Sequence, residues 1–247
     1  MANLVGITRV RNEELILADT LEHVLARVDL VILYDDFSTD RTVEIALSYD
    51  RVHVYSGQSW SPNRRAEETA HRRFLTERAQ GQGAEWVWCF DADERIEGEL
   101  PDLNEPLDAY RFRLLDGYLA EGYSDPYSSG PLDQLPRLWG PEYRDINMLF
   151  RPRSVEYRGL DRRQPIMHPA TQVGFAEGLY VKHYGKCLSV QHWEDTCNYY
   201  ATYWPEPYKS KWAARRGKAI HTVSDLGRPL YTWETVKDHL TPDRSKV

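Results

Sequence analysis

The feature that most constrains this chain is a succession of short apolar runs, rich in β-branched residues, each ending in a polar or charged cluster. Leu4 to Val10, Leu30 to Tyr34, Val52 to Tyr55 and Glu85 to Phe90 read as strands, since runs of this length suit a buried pleated segment. Between them the spacing becomes helical: Leu17, Leu21, Val24 and Leu25 share one face, as do Ala66, Ala70 and Phe74. Strands alternating with helices imply βαβ units. The fold class expected is therefore α/β, Rossmann-like, with a mostly parallel central sheet flanked by helices. Ligands in such sheets gather at the carboxyl ends of the strands. Those ends carry Arg9, Arg11 and Asn12 after the first strand, Asp35 and Asp36 after the second, and Asp91 and Asp93 after the fourth.

Local signals refine the outline. Asn12 suits a helix N-cap, with Glu13 and Glu14 at the positive end of the helix dipole. Ser61 and Pro62 mark the start of another helix, which Gly81 and Gly83 close. In the second half, Ala109 to Leu115, Ile146 to Arg151 and Gly178 to Tyr184 read as further strands. Gly117 to Tyr143, rich in Gly, Pro, Ser and Tyr, reads as a long loop. Helices interrupted by Pro205 and Pro207 are expected over 189–216, followed by a packed tail. The chain divides on this reading into two halves of one domain (1–100 and 101–188) and a helical C-terminal extension (189–247).

Composition removes several classes. A formal net charge of −7 argues against a dedicated nucleic-acid binder, so no nucleic-acid partner is expected. The three cysteines are widely spaced and fit reduced thiols better than a disulfide framework. No apolar run approaches the ~20 residues of a membrane span, and the N-terminus lacks the pattern of a secretory signal. A soluble, cytoplasmic protein is expected, with peripheral attachment to a membrane left open. The 16 Tyr and 8 Trp fill cores first and stack on sugars or bases second.

The chemistry concentrates at few positions. In an extended chain Asp91 and Asp93 project to one side, with Ala92 between them. Two adjacent carboxylates repel unless a cation lies between them, and oxygen ligands favour Mg²⁺ or Mn²⁺. Such an ion can neutralise a departing diphosphate; the bland alternative is a solvated acidic turn. Asp35 and Asp36 can accept from a base N–H or a ribose hydroxyl, or form a turn with Ser38 and Thr39. Arg64 and Arg65 can clamp a diphosphate or form a solvated helix face. His183 and His168 are each a metal ligand or a satisfied structural imidazole. The arginine-rich stretch from Arg151 to Arg163 can bind acceptor phosphates or face water.

Taken in order, Val10-Arg11-Asn12-Glu13-Glu14, Tyr34-Asp35-Asp36-Phe37-Ser38-Thr39-Asp40-Arg41-Thr42 and Phe90-Asp91-Ala92-Asp93-Glu94 resemble the family 2 glycosyltransferases of the GT-A fold. Leu149-Phe150-Arg151, His168 and Val181-Lys182-His183-Tyr184-Gly185 are similar to later landmarks of its bacterial members. The resemblance implies that Arg11, Asp35 and Asp36 surround the nucleotide base and ribose, and that Arg64 or Arg65 approaches the diphosphate. It implies Asp91 and Asp93 as metal and nucleotide carboxylates, Asp93 the more direct, with His183 a further metal ligand. Two departures stand out. Phe37 and Arg41 occupy positions where the family often has glycine. No clear acidic pair appears between 94 and 183, Glu194 and Asp195 coming late, after His183, which leaves Asp145, Asp161 and His168 as candidates for the general base.

The reaction expected is transfer of a sugar from a nucleoside-diphosphate sugar, a uridine nucleotide being favoured, to a hydroxyl acceptor of a saccharide, lipid-linked sugar or protein. Mn²⁺ or Mg²⁺ is the expected cofactor and inversion the expected outcome, the family resembled being mostly inverting. A haloacid-dehalogenase-type phosphatase would need Thr or Val where the chain has Arg95. A sugar-phosphate nucleotidyltransferase would need a Gly-rich loop after the first strand. A non-catalytic sugar- or nucleotide-binding domain is the third alternative.

Overall fold

The computed structural model describes residues 3–57, 60–160 and 163–243, and its chain forms two compact units. The first comprises Met1–Ala92, Gly98–Phe112 and Ile146–Leu179; the second comprises Asp93–Glu97, Arg113–Asp145 and Tyr180–Val247.

The first unit is an α/β layer with helices packed on a mostly parallel sheet. Its strands β1 (Leu4–Val10), β2 (Leu30–Asp35), β3 (Val52–Ser56) and β4 (Trp86–Cys89) alternate with α1 (Leu17–Leu25), α2 (Thr42–Leu47) and α3 (Arg64–Gly81). The order is β3-β2-β1-β4, all parallel, with Val5 opposite Leu30 and Val87, and Val31 opposite Val52. Next to β4 runs the end of β7 (Leu138–Phe150), antiparallel, with Phe150 opposite Val87. The pleat sends alternate residues of β1 to opposite faces. Val5 and Ile7 join Leu75 and Ala79 of α3 in one core cluster. Gly6 points the other way, where a Cβ would lie 3.2 Å from Val24 of α1 and 3.1 Å from Phe90. A sheet covered on both faces explains why its strands read as nearly continuous apolar runs.

The second unit takes β5 (Glu94–Glu97) and the remaining parts of β6 (Ala109–Tyr118), β7 and β10 (Val173–His183), strands that the two units share. There β10 runs antiparallel to β5, with His183 opposite Glu94, and β11 (Thr241–Pro242) lies parallel to β7. Two short strands of the first unit, β8 (Val155–Glu156) and β9 (Ile166–Met167), pair with each other. The helices α4 (Val190–Tyr203), α5 (Tyr208–Ala213) and α6 (Trp233–Val236) complete the second unit. Among the described residues no helix is long and apolar enough to cross a membrane.

Three local expectations change. Asn12 does not cap α1, which begins five residues later; it adopts φ 54° and accepts from the Thr39 backbone N–H at 2.8 Å. Strand β7 begins at Leu138, inside the stretch read as a loop, because Trp139 and Met148 give it buried anchors. Ala92 and Asp93 form a turn rather than an extended pair, so the strand alternation that would align Asp91 with Asp93 ends at Cys89.

Candidate functional site

In the first unit, the carboxyl ends of β1, β2 and β4 meet the inner face of α3. Arg64, Glu68 and Arg72 lie four residues apart and therefore stack along one side of that helix. Asp36, 4% exposed, receives Arg9 Nη2 at 2.6 Å and also pairs with Arg64, which is fully buried. Arg9 reaches on to Glu68 at 2.9 Å, Glu68 to Arg72 at 3.2 Å, and Arg72 to Asp91 at 2.5 Å. Arg163 closes the row on the other Asp91 oxygen at 2.9 Å. Seven side chains of alternating sign thus run along the strand ends, from Arg64 through Asp36, Arg9, Glu68, Arg72 and Asp91 to Arg163. Burying so many charges is tolerable because each has an opposite neighbour.

Other expected residues sit around this row. Asp35 is buried and accepts from the Ser38 backbone N–H at 3.2 Å, a turn-closing bond. Arg11 donates to the Asp36 carbonyl at 3.5 Å, and its guanidinium lies 5.1 Å from the Trp60 ring. The Arg64 guanidinium lies 5.3 Å from the same ring, so two cations share one aromatic. Arg65, one residue on and about 100° around the helix from Arg64, is half-buried. Sequence reasoning does not single out Glu68, Arg72 and Trp60 as site members, and it reaches Arg163 only as the end of the arginine-rich stretch. The recurrence of Arg, Glu and Arg at 64, 68 and 72 is the available signal for the first two; nothing local marks Trp60.

Cys89 lies beside the row. Its sulfur accepts from Arg72 Nη1 at 3.0 Å, and the Tyr157 hydroxyl approaches at 3.8 Å. Burial, with Cys89 next, raises the Tyr157 phenol well above its ordinary range.

The second unit holds a separate constellation. His183 ends β10 and Asp93 precedes β5, which the antiparallel register brings side by side. The imidazole Nε2 lies 3.4 Å from Asp93 Oδ2, and Nδ1 lies 2.6 Å from Asp116 Oδ1 at the end of β6. Burial alone would lower the imidazole, but the Asp93 charge and the Asp116 hydrogen bond raise it to about 10. Asp116 also takes Arg144 at 2.7 Å and Lys186 at 3.4 Å. Burial pushes the Asp116 carboxyl up, yet Arg144, Lys186 and His183 hold it well below the usual carboxylate range. Asp93 Oδ1 is buried and has no hydrogen-bond partner among the described residues. Gly185 faces this pair: a Cβ there would lie 2.5 Å from Asp93 Oδ2 and 2.7 Å from His183 Nε2.

The three candidates for a base are dispersed. Asp145 is exposed, with its carboxylate 3.9 Å from Arg113 Nε in the second unit. His168, in the first, is exposed in a turn where its carbonyl accepts from the Thr171 N–H at 2.9 Å. Asp161 lies outside the described residues.

A mostly parallel α/β sheet with a charged row at its carboxyl edge defines a protein of the class that binds ligands at strand ends. Residues 7–160 match the model of glycosyl transferase family 2, more than half of the chain. The chain belongs to that family. No curated protein matches it. Among solved structures it is similar to glucosyl-3-phosphoglycerate synthase from Mycobacterium tuberculosis in complex with phosphoglyceric acid, at 14% identity and TM-score 0.32, over 46% of this chain and 44% of that one. The same enzyme with Mn²⁺, uridine diphosphate and phosphoglyceric acid gives 17%, TM-score 0.34, and 46% and 43% coverage. A 4-diphosphocytidyl-2C-methyl-D-erythritol synthase gives 11%, TM-score 0.37, and 62% and 76% coverage. The chain thus spans less than half the length of the first of these structures.

Proposed function

We propose that this chain transfers a glycosyl group from a nucleoside-diphosphate sugar to an acceptor hydroxyl, with a uridine nucleotide as donor and inversion at the anomeric carbon. Membership of glycosyl transferase family 2 supports the class of reaction. The observation that carries the reading further is the Asp93–His183 pair, with a carboxylate oxygen that has no hydrogen-bond partner among the described residues and a glycine where any side chain would intrude. An oxygen and a nitrogen donor bordered by a glycine fit a divalent cation, Mn²⁺ or Mg²⁺. Asp93 and His183 would hold it. When bound, such an ion supplies positive charge against the diphosphate that departs.

The remaining roles fall to the chain's own groups. Arg11, Asp35 and Asp36 would contact base and ribose, with the Asp35–Asp36 pair accepting the uracil N–H. Arg64, or Arg65 beside it, would meet diphosphate oxygens, since a guanidinium offers paired donors to phosphate. In the reaction a base takes the acceptor hydroxyl proton while that oxygen bonds to the anomeric carbon. The bond from that carbon to the diphosphate oxygen breaks, and the diphosphate leaves with the electron pair. Asp145, Asp161 and His168 are the proposed base candidates.

A transfer assay tests the reading. Purified protein with Mn²⁺ is offered UDP-, GDP- and dTDP-sugars, and release of nucleoside diphosphate is followed with and without chelator. Release from the uridine donor that stops in chelator is the expected result. No release from any donor, together with no nucleotide binding by calorimetry, defeats it.

A further inference from the structure

The second unit contains a partly buried ionic chain, centred on buried Lys186, that the proposed reaction leaves unexplained. It runs from Arg215 to Asp225 at 2.9 Å, from Asp225 to Lys186 at 2.9 Å, from Lys186 to Asp116 at 3.4 Å, and from Asp116 to His183 Nδ1 at 2.6 Å. Arg144 adds a second cation on Asp116 at 2.7 Å. The Tyr118 hydroxyl accepts from Lys186 at 3.3 Å and from the Asp225 backbone N–H at 3.1 Å, which fixes both ends of that link. Every charge in the chain is matched, and the row ends on a single imidazole nitrogen.

An imidazole can offer a lone pair from only one nitrogen while the other keeps its proton. Whichever nitrogen is tied to an acceptor keeps the N–H, and the opposite nitrogen is left for a ligand. Nδ1, 2.6 Å from the Asp116 carboxylate, is assigned as the N–H donor, and a cation beside Asp93 would displace the proton that Nε2 otherwise shares with that carboxylate. Nε2 is the nitrogen turned to the Asp93 carboxylate, over Gly185. We propose that Asp116 is the positioning residue for His183: it holds the proton on Nδ1 and the ring in place, so that Nε2 is the atom presented to a divalent cation beside Asp93. Lys186 and Arg144 hold the Asp116 carboxylate in place, and Asp225 steadies Lys186 from the C-terminal segment. The inference rests on the metal reading of Asp93 and His183, and it assigns Asp116 no contact with substrate or ion.

Binding of Mn²⁺ alone, followed by the loss of the free-ion electron paramagnetic resonance signal, supplies the first test. Asp116→Asn is compared with Asp225→Asn, which disturbs the same ionic chain without touching His183. Asp116→Asn should weaken Mn²⁺ binding about 10- to 100-fold, the range for groups that orient a ligating histidine. Asp225→Asn should weaken it less than about threefold. Should Asp116→Asn not fold, Asp116→Glu, which keeps the charge but displaces it from Nδ1, takes its place. Ring-selective ¹⁵N–¹H spectra of the metal-free protein give a readout independent of the ion. A strongly downfield Nδ1–H of His183 should be present in the wild type and absent in the Asp116 variant. Equal Mn²⁺ affinity in wild type and Asp116 variants overturns the assignment, as does a wild-type ring without that proton. A wild type that binds no Mn²⁺ but shows the downfield proton defeats the metal reading instead.

Discussion

Arg72 donates to the Asp91 carboxylate at 2.5 Å from a position on α3 where it is almost wholly buried. With Arg163 on the other oxygen, Asp91 has its charge met by the protein. Asp93 has only the imidazole of His183 at 3.4 Å as an ion-pair partner among the described residues. The two carboxylates, alike in sequence, therefore differ in what an added cation would gain from them. Calorimetry of UDP with Mn²⁺ should show Asp93→Ala losing at least about 100-fold in affinity. Asp91→Asn should lose about tenfold, the scale on which a supporting group acts. Equal losses would contradict the unequal roles.

Asp36 neutralises two guanidiniums at once, Arg9 and Arg64. Removing it leaves Arg64, which is fully buried, without that counter-charge. Breaking a buried pair from one side costs about 3–5 kcal/mol. Asp36→Ala should lower the unfolding free energy by about 3 kcal/mol in urea titration, the lower bound applying because Arg9 keeps Glu68. A change below about 1 kcal/mol would mean that the row contributes little to stability.

His71 stacks on Tyr34 with ring centroids 3.9 Å apart, and its Nε2 lies 3.1 Å from Glu67. Burial, and then Arg9, Arg64 and Arg72, push its imidazole down from 6.5 to about 3. Among the described residues its buried Nδ1 has no hydrogen-bond partner, which is compatible with the neutral Nε2–H tautomer. A depressed folded value means that the unfolded chain takes up the proton first as the pH falls. The contribution of neutral His71 is complete above pH 6.5 and is lost on acidification toward pH 3, at up to about 1.4 kcal/mol per pH unit. Urea titrations at pH 7 and pH 5 should show a smaller loss for His71→Gln than for the wild type. Parallel losses would refute the shift.

Phe37 adopts φ 67°, the left-handed region that disfavours a residue with a Cβ, and is 42% exposed. Strain of this kind costs about 1–2 kcal/mol, of which glycine's greater chain entropy returns about half. Phe37→Gly should raise the unfolding free energy by about 0.5–1 kcal/mol in urea titration. A loss of stability would show that the exposed ring is held by contacts that outweigh the backbone.

The first four strands, their helices and the polar ends of the strands were legible in the sequence, because hydrophobic periodicity is local and the pleat fixes which residues share a face. Asp35, Asp36, Asp91, Asp93 and His183 could all be singled out by their positions beside strand ends. What each carboxylate faces was not legible. The sequence places Asp91 and Asp93 two residues apart in an extended chain, and only the turn at Ala92–Asp93 separates their surroundings. Arg72 lies 19 residues before Asp91 and Asp116 lies 67 before His183. No local pattern links residues so far apart; the crossover through α3 and the ends of β6 and β10 bring them into contact. Periodicity within the sequence determined the strands and the helix faces, whereas the pairing of charges was decided by the tertiary structure, since a buried charge is stabilised by whichever opposite group the packed chain delivers to it.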